Sequence, residues 1–145
     1  MISRRQILPK ERDEFAARAV EEARRLTNFF HYGDIASSLP LLLHRHGLGQ
    51  TLSYLQIRGG GREQSPYTHV YRHLAERLNA VFSLPDDDLL NSITRLNSQQ
   101  YLRLASEAHA YALALRRAVR AQRQKRESEA AETNASEHST EEDMP

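Results

Sequence analysis

Residues 97–115 read Asn-Ser-Gln-Gln-Tyr-Leu-Arg-Leu-Ala-Ser-Glu-Ala-His-Ala-Tyr-Ala-Leu-Ala-Leu, and they give the clearest indication of the fold class. Apolar side chains recur every three or four residues, the period of an amphipathic helix, at Tyr101, Leu104, Ala108, Tyr111 and Leu115. Asn97 followed three positions later by Gln100 is typical of a capping box at a helix N-terminus. Because no stretch alternates as a strand would, we predict an all-α protein.

The same helical period recurs upstream and predicts a compact bundle of about five to six helices. We expect Gly33 and Gly47 to end helices, and Pro40 either to kink the second helix or to follow its true start near Ser37 and Ser38. Ser65-Pro66 is typical of a helix start after a glycine-rich loop. The predicted helices preceding the last span about 9–30, 34–46, 48–58, 66–81 and 86–96.

Charge divides the chain into a basic body and an acidic tail. Residues 1–126 hold all 20 Lys and Arg but 12 of the 19 Asp and Glu, a net charge of +8 against −7 in residues 127–145. Arginine dominates the basic residues, and its planar fork suits phosphate. This positive charge is typical of a protein that binds nucleic acid, but it is also found on ordinary solvated helix faces. We predict a helical domain over 1–126 and a disordered acidic tail over 127–145, which is too polar to fold.

Three features that resemble active sites have simpler interpretations. His69 and His73 have metal-ligand spacing, but residue 70 is Val rather than the Glu of a zinc-protease motif, and no third ligand is obvious in the sequence. We therefore place both on the polar face of their helix, with Arg72, Glu76 and Arg77. Asp86-Asp87-Asp88 is interpreted as a helix cap, and Gly59-Gly60-Gly61 as a loop without the lysine of a phosphate-binding motif. The sequence thus predicts no enzyme, metal or cofactor.

The most distinctive stretch is the segment around Gly47 and Gly49. It runs from Leu39-Pro40 through Gly47-Leu48-Gly49-Gln50 and Thr51-Leu52-Ser53-Tyr54-Leu55 to Arg58. Two glycines two residues apart allow one helix to end and the next to begin almost without a linker. Spacing alone indicates a tight helix corner.

These residues resemble the small subunit of the type III-B CRISPR (Cmr) effector, a family with a Leu-Pro segment leading into Gly-Leu-Gly-Gln. The resemblance covers roughly residues 10–121. Downstream matches are Tyr67, Tyr71, Arg72, Leu74, Leu78, Tyr101, Leu102, Arg103, Glu107, Ala108, Leu113, Arg116 and Arg117. Tyr54 stands where phenylalanine is common in the family, and the acidic tail is an extension.

The resemblance implies a non-catalytic scaffold subunit that acts in antiviral defence. Its partners would be guide RNA and target RNA, the other Cmr effector subunits, and further copies of itself stacked along a filament. Nuclease and cyclase activities would belong to other subunits. No apolar run approaches the length that spans a bilayer, so we expect a cytoplasmic protein without membrane attachment.

Our candidate RNA contacts are arginines that would hold phosphates while base pairing reads the sequence. They are Arg45, Arg58, Arg62, Arg72, Arg77, Arg116, Arg117 and Arg120. Tyr54, Tyr71 and Tyr101 are able to stack on bases, but each lies on or beside an apolar stripe, so we expect burial. Two alternatives remain: a helix-turn-helix-like DNA-binding protein, and a helical protein–protein adaptor that binds no RNA.

Overall fold

The computed structural model describes residues 4–141, and the side chains of residues 8–136. Within that range the chain forms five helices and no strand. They are α1 (Arg4–Leu26), α2 (Phe29–Gly59), α3 (Pro66–Val81), α4 (Leu89–Ile93) and α5 (Ser98–Glu141). The predicted all-α bundle of about five to six helices is confirmed.

The core lies where α2 packs against both α3 and α5, and where α1 closes over α5. Every helix contributes side chains to it. Among those with almost no exposure are Ala23, Leu39, Leu52, Leu74, Leu78, Leu89, Tyr111 and Leu115. Burial of such apolar surface is the main favourable term in the stability of the fold.

A corner at Gly47 divides α2 into two arms, residues 29–46 and 48–59. Gly47 has φ 77° and ψ 173°, whereas its neighbours in α2 are helical. This backbone conformation is essentially restricted to glycine, because a Cβ atom would clash with the backbone. The predicted corner is confirmed, and the second and third predicted helices are the two arms.

The predicted breaks before this corner are wrong. The first helix ends at Leu26, and α2 begins after Asn28, whose Oδ1 accepts a hydrogen bond from the His31 backbone N–H at 3.1 Å. Gly33 lies inside α2, where a Cβ atom would come within 2.6 Å of Arg123 Nη2 on α5. Pro40 is also inside α2 and buried, without non-helical backbone at that point. Gly33 therefore serves close helix packing rather than chain reversal.

The start of α5 follows the sequence prediction. The backbone N–H of Gln100 donates to Asn97 Oδ1 at 2.8 Å, and the backbone N–H of Asn97 donates to Gln100 Oε1 at 3.0 Å. This reciprocal pair satisfies two N–H groups that the first turn of a helix leaves without intrahelical partners.

The far end of α5 differs from the prediction. The helix continues to Glu141, although we predict disorder from residue 127. Residues 127–136 are all exposed, so they add nothing to the core. Extending a packed helix needs no new nucleus, and Glu and Ala favour helix, which explains the continuation. The division into a body over 1–126 and a separate tail stays a prediction.

Candidate nucleic-acid interface

Four side chains form a continuous chain of ring contacts on the surface, which we call the aromatic–basic row: His31, Tyr67, Tyr54 and Arg58. The His31 and Tyr67 rings meet edge to face with centroids 5.4 Å apart. Tyr67 and Tyr54 meet in the same way at 6.1 Å. The Arg58 guanidinium lies 5.5 Å from the centroid of the Tyr54 ring, within the range of a cation–π contact.

The corner at Gly47 makes this row possible. His31 lies at the start of the first arm of α2 and Tyr54 near the end of the second, yet both contact Tyr67 in the first turn of α3. The loop between α2 and α3 is held to the connection between α1 and α2 by Thr27, whose hydroxyl donates to the Gln64 carbonyl at 2.7 Å. The row is therefore positioned by three elements rather than by one flexible loop.

The electrostatics of the row combine phenol groups with positive charge. Partial burial raises the pKa of Tyr67, and the neighbouring Tyr54 adds to this effect while Arg58 opposes it. Tyr67 thus stays a neutral hydroxyl at physiological pH. Arg62 folds back beside the row, donating to the carbonyl oxygens of Gly59 and Arg58 at 3.3 and 3.2 Å.

Exposed rings beside guanidinium groups suit single-stranded RNA. Unpaired bases stack on aromatic side chains and on arginine, while the positive charge attracts the phosphates. His31, Tyr54, Arg58 and Arg62 are all exposed, and Tyr67 is half-buried. The expected burial of Tyr54 is therefore wrong.

The other two tyrosines are half-buried, in line with the expectation that they serve the fold. The Tyr71 hydroxyl donates to Asp88 Oδ1 at 2.8 Å, and burial followed by this bond raises its pKa. Tyr101 Oη accepts from the Gly49 backbone N–H at 3.4 Å.

Asp88 occupies the N-cap position of α4 without a side-chain capping bond, whereas Asp86 Oδ1 accepts from the Asp88 N–H at 2.9 Å. The Asp cluster therefore organises its own turn.

The predicted arginines fall into separate groups. Arg58 and Arg62 lie together at the loop, and Arg45 is exposed on the first arm of α2 just before Gly47. The α5 group follows one stretch of that helix and consists of Arg116, Arg117 and Arg120. Arg117 and Arg120 are exposed and Arg116 is half-buried; Arg117 also pairs with Asp13 at 3.1 Å.

Arg77 is a wrong prediction as an RNA contact. Its side chain is fully buried, and it donates to Glu107 Oε1 at 3.0 Å and to Glu11 Oε1 at 3.2 Å. Arg12 grips the same Glu107 carboxylate with two bonds of 3.0 and 2.7 Å. Burial alone would raise the pKa of Glu107, but hydrogen bonds from Arg12 and Arg77 together hold it below the usual value. Arg77 therefore joins α3 to α1 and α5 inside the fold.

The predicted polar face of α3 is also partly wrong, because His69 and His73 are buried with only 3% and 1% of their surface exposed. They face α1, where Glu22 supplies the third metal-ligating side chain that was not apparent from the sequence. Arg72 pairs with Glu22 and with Glu76. Burial lowers the pKa of His73 to about 4 and also lowers that of His69.

Sequence reasoning missed several residues at this surface. Arg123 donates to Asp34 Oδ1 at 3.0 Å and to the Phe30 carbonyl at 3.2 Å, beside the exposed Phe30 ring. Its spacing from Arg116 and Arg120 on a helix was a usable signal. The sequence around His31 carried no such signal, because the position of His31 beside Tyr67 depends on the corner at Gly47.

The fold and this surface define a class: a small all-α protein whose arginines and tyrosines are displayed on its helices. Among the described residues, no helix combines the length and apolarity needed to cross a membrane. A search among curated proteins finds no match.

The family described as CRISPR-associated protein (Cas_Cmr5) matches residues 8–122. The fold is similar to the crystal structure of a CRISPR-associated Cmr5 family protein from Thermus thermophilus, with a TM-score of 0.58 and 26% identity. That match covers 83% of this chain and 97% of the Thermus chain. The chain therefore belongs to the Cmr5 family and is a small subunit of a type III-B CRISPR effector. The helix-turn-helix alternative is set aside.

Proposed function

We propose that this subunit is a non-catalytic scaffold that holds guide and target RNA in the Cmr effector by their sugar–phosphate backbone. The observation that carries the proposal is the aromatic–basic row, with Arg62 beside it, on a body of net charge +8. Its rings are exposed or half-buried, and its guanidinium groups are not consumed by carboxylates among the contacts described above. Such a surface attracts RNA without reading base edges.

The RNA contacts we propose form two clusters and two single positions. Arg58 and Arg62 make the loop cluster. Arg116, Arg117 and Arg120 make the α5 cluster, which Arg123 extends by one turn. Arg45 is a single exposed position, and Arg72 would reach RNA only after leaving Glu22. Arg77 is not part of the proposal.

Sequence selection in such a complex falls to base pairing between guide and target, so the subunit only needs to hold phosphates. Removal of any one arginine contact should then weaken binding by about the same factor for every RNA sequence. Further copies of the chain would continue the surface along the RNA, and other Cmr subunits would carry out cleavage. The acidic residues after 126 would compete with RNA for the body at low salt.

The test uses the assembled Cmr complex rather than the isolated subunit, because neighbouring subunits complete the RNA path. Arg58→Glu with Arg62→Glu is compared with Arg95→Glu with Arg103→Glu, which changes the net charge equally at exposed positions outside the proposed contacts. Affinity for a guide–target RNA is measured over a range of salt concentrations. Removing two contacts to this base-paired RNA should lower the slope of log K against log salt by about 1.8.

The two charge-reversal variants separate the rival accounts. A reduced slope and affinity in the loop variant, with little change in the control variant, supports the proposal. Equal losses in both variants would mean that only net charge matters. An affinity and a salt slope that are unchanged in both variants would favour a purely protein-binding helical adaptor.

A further inference from the structure

Three side chains from two helices converge beneath the surface between α1 and α3. Glu22 lies on α1, and His69 and His73 lie one turn apart on α3. One ligand atom from each lies within 4.8 Å of those of the other two. Glu22 Oε1 and His73 Nε2 are 3.4 Å apart. Among the described residues this is the group with the composition and spacing of a metal site.

The hydrogen bonds around the two imidazoles fix the orientation of their rings. Arg72 Nη2 lies 3.0 Å from His69 Nδ1, and because arginine only donates, that nitrogen must be an acceptor. Tyr32, which is fully buried, hydrogen-bonds His73 Nδ1 at 2.8 Å and fixes the ring so that Nε2 donates its hydrogen to Glu22. A metal ion on Nε2 would require the proton on Nδ1, where Tyr32 Oη accepts it. A hydrogen bond to the second ring nitrogen is the usual support of a metal-bound histidine.

The space between these ligands already holds a positive group. The Arg72 guanidinium donates through Nη2 to both Glu22 and His69. Its side chain is 42% exposed, and its second carboxylate partner, Glu76, lies towards solvent with 54% exposure. Arg72 can therefore swing out to Glu76 without unfolding the helix, which frees two neutral imidazoles and a carboxylate to share one cation.

We propose that Glu22, His69 and His73 bind a divalent transition-metal ion, which takes the place of the Arg72 guanidinium. Two imidazole nitrogens and one carboxylate oxygen favour zinc and its neighbours over magnesium or calcium, which require oxygen ligands. Ligand atoms around one zinc ion lie roughly 3–4 Å apart, so a small rotation of the half-exposed Glu22 carboxylate completes the triangle. Water would fill the fourth position.

The experiment titrates the full-length, chelator-treated chain with zinc against a chromophoric competitor, and with cobalt to record the visible spectrum of the bound ion. We expect one equivalent of zinc per chain, and a cobalt spectrum typical of tetrahedral coordination. Glu22→Gln and His69→Gln should abolish this site. Tyr32→Phe should weaken it by roughly tenfold to a hundredfold, since it removes only the bond that orients His73.

Arg72→Gln distinguishes this site from casual binding by surface histidines. Removal of the competing guanidinium should tighten zinc binding by at least about tenfold, whereas zinc held by histidines that Arg72 does not contact would be unaffected. His44→Gln with His46→Gln is the matched control, because both histidines lie outside the site on the first arm of α2 and should leave binding unchanged. Circular dichroism establishes that each variant is folded, and the half-exposed Glu22 provides a ligand variant that spares the core.

Three results would overturn the proposal. The first is a wild-type chain that binds no zinc. The second is a bound equivalent that survives Glu22→Gln or His69→Gln in folded protein. The third is an affinity that does not tighten in Arg72→Gln. Because no RNA enters the experiment, failure here leaves the proposed RNA role untouched.

Discussion

Arg77 and Glu107 form a buried ion pair in which Arg77 Nε donates to Glu107 Oε1 at 3.0 Å, with 0% and 9% of their side chains exposed. The pair joins α3 to α5, and Arg12 extends it to α1. A buried charge requires partners of this quality, because desolvation otherwise exceeds the attraction. The network fixes how α1, α3 and α5 meet.

Breaking this pair should destabilise the fold. Arg77→Met keeps much of the volume but leaves Glu107 with Arg12 as its remaining partner, so we expect a loss of about 3 kcal/mol in the free energy of unfolding. Arg117→Met is the control, since its pair with Asp13 is exposed and should be worth less than about 1 kcal/mol. Urea unfolding of both variants measures the difference. Equal stabilities would contradict the structural role of Arg77.

The same network predicts a dependence of stability on acid pH. The folded-state pKa of Glu107 lies below its ordinary value of 4.5, so the unfolded chain binds a proton more readily. The contribution of Glu107 to the free energy of unfolding is therefore complete above pH 4.5 and is lost as pH falls through the folded-state pKa. Urea unfolding from about pH 6 down to about pH 3 should show a shallower decline in Glu107→Gln than in wild type. Parallel curves would rule out this contribution.

Two glycines in one motif should respond oppositely to alanine. Gly47→Ala forces a Cβ atom onto a backbone with φ 77° and ψ 173°, which should cost about 1–3 kcal/mol. Gly49→Ala lies in regular helix, where its Cβ would meet only Ile93 Cδ1 at 3.6 Å, so it should stabilise by about 0.5–1 kcal/mol. Thermal unfolding compares them. A harmless Gly47→Ala would mean that the corner is not fixed by this backbone conformation.

The sequence predicted what depends on local rules. Asn97 and Gln100 carry a capping signal that needs only their own helix, and Gly47 stops a helix because of its backbone freedom. Gly33 carries the same signal but fills a different role, because the side chain that approaches it, Arg123, belongs to a helix distant in sequence. Local sequence does not distinguish a glycine that ends a helix from one that allows close packing.

The candidate surface was less predictable, because partners decide whether a charge is displayed or buried. The sequence places Arg58 and Arg77 alike on the polar faces of helices. Arg58 lies over an exposed tyrosine, whereas Arg77 lies between carboxylates of α1 and α5. We predicted that His69 and His73 lie on the polar face of α3, because their partner, Glu22, lies on another helix and is not apparent from the local sequence. The period of a helix identifies its apolar face, and it does not identify polar groups that tertiary contacts bury.

Removal of the acidic extension should leave the body intact. Residues 127–136 are exposed along the end of α5, so a chain ending at Arg126 should unfold with a free energy within about 0.5 kcal/mol of wild type. The truncated chain should also bind RNA more tightly at low salt, since seven negative charges are gone. Urea unfolding and RNA titration check the two statements. A large loss of stability would place the domain boundary beyond residue 126.

The most direct measurement is ultraviolet crosslinking of the Cmr complex isolated with the tagged full-length chain, followed by mass spectrometry of the RNA-bound peptides. Our account predicts that the complex retains RNA and that crosslinks fall on the aromatic–basic row, chiefly at Tyr54 and Tyr67. Crosslinks should decline when Arg58 and Arg62 are both changed to Glu. A complex free of RNA, or crosslinks confined to the surface around Arg95 and Arg103, would contradict it.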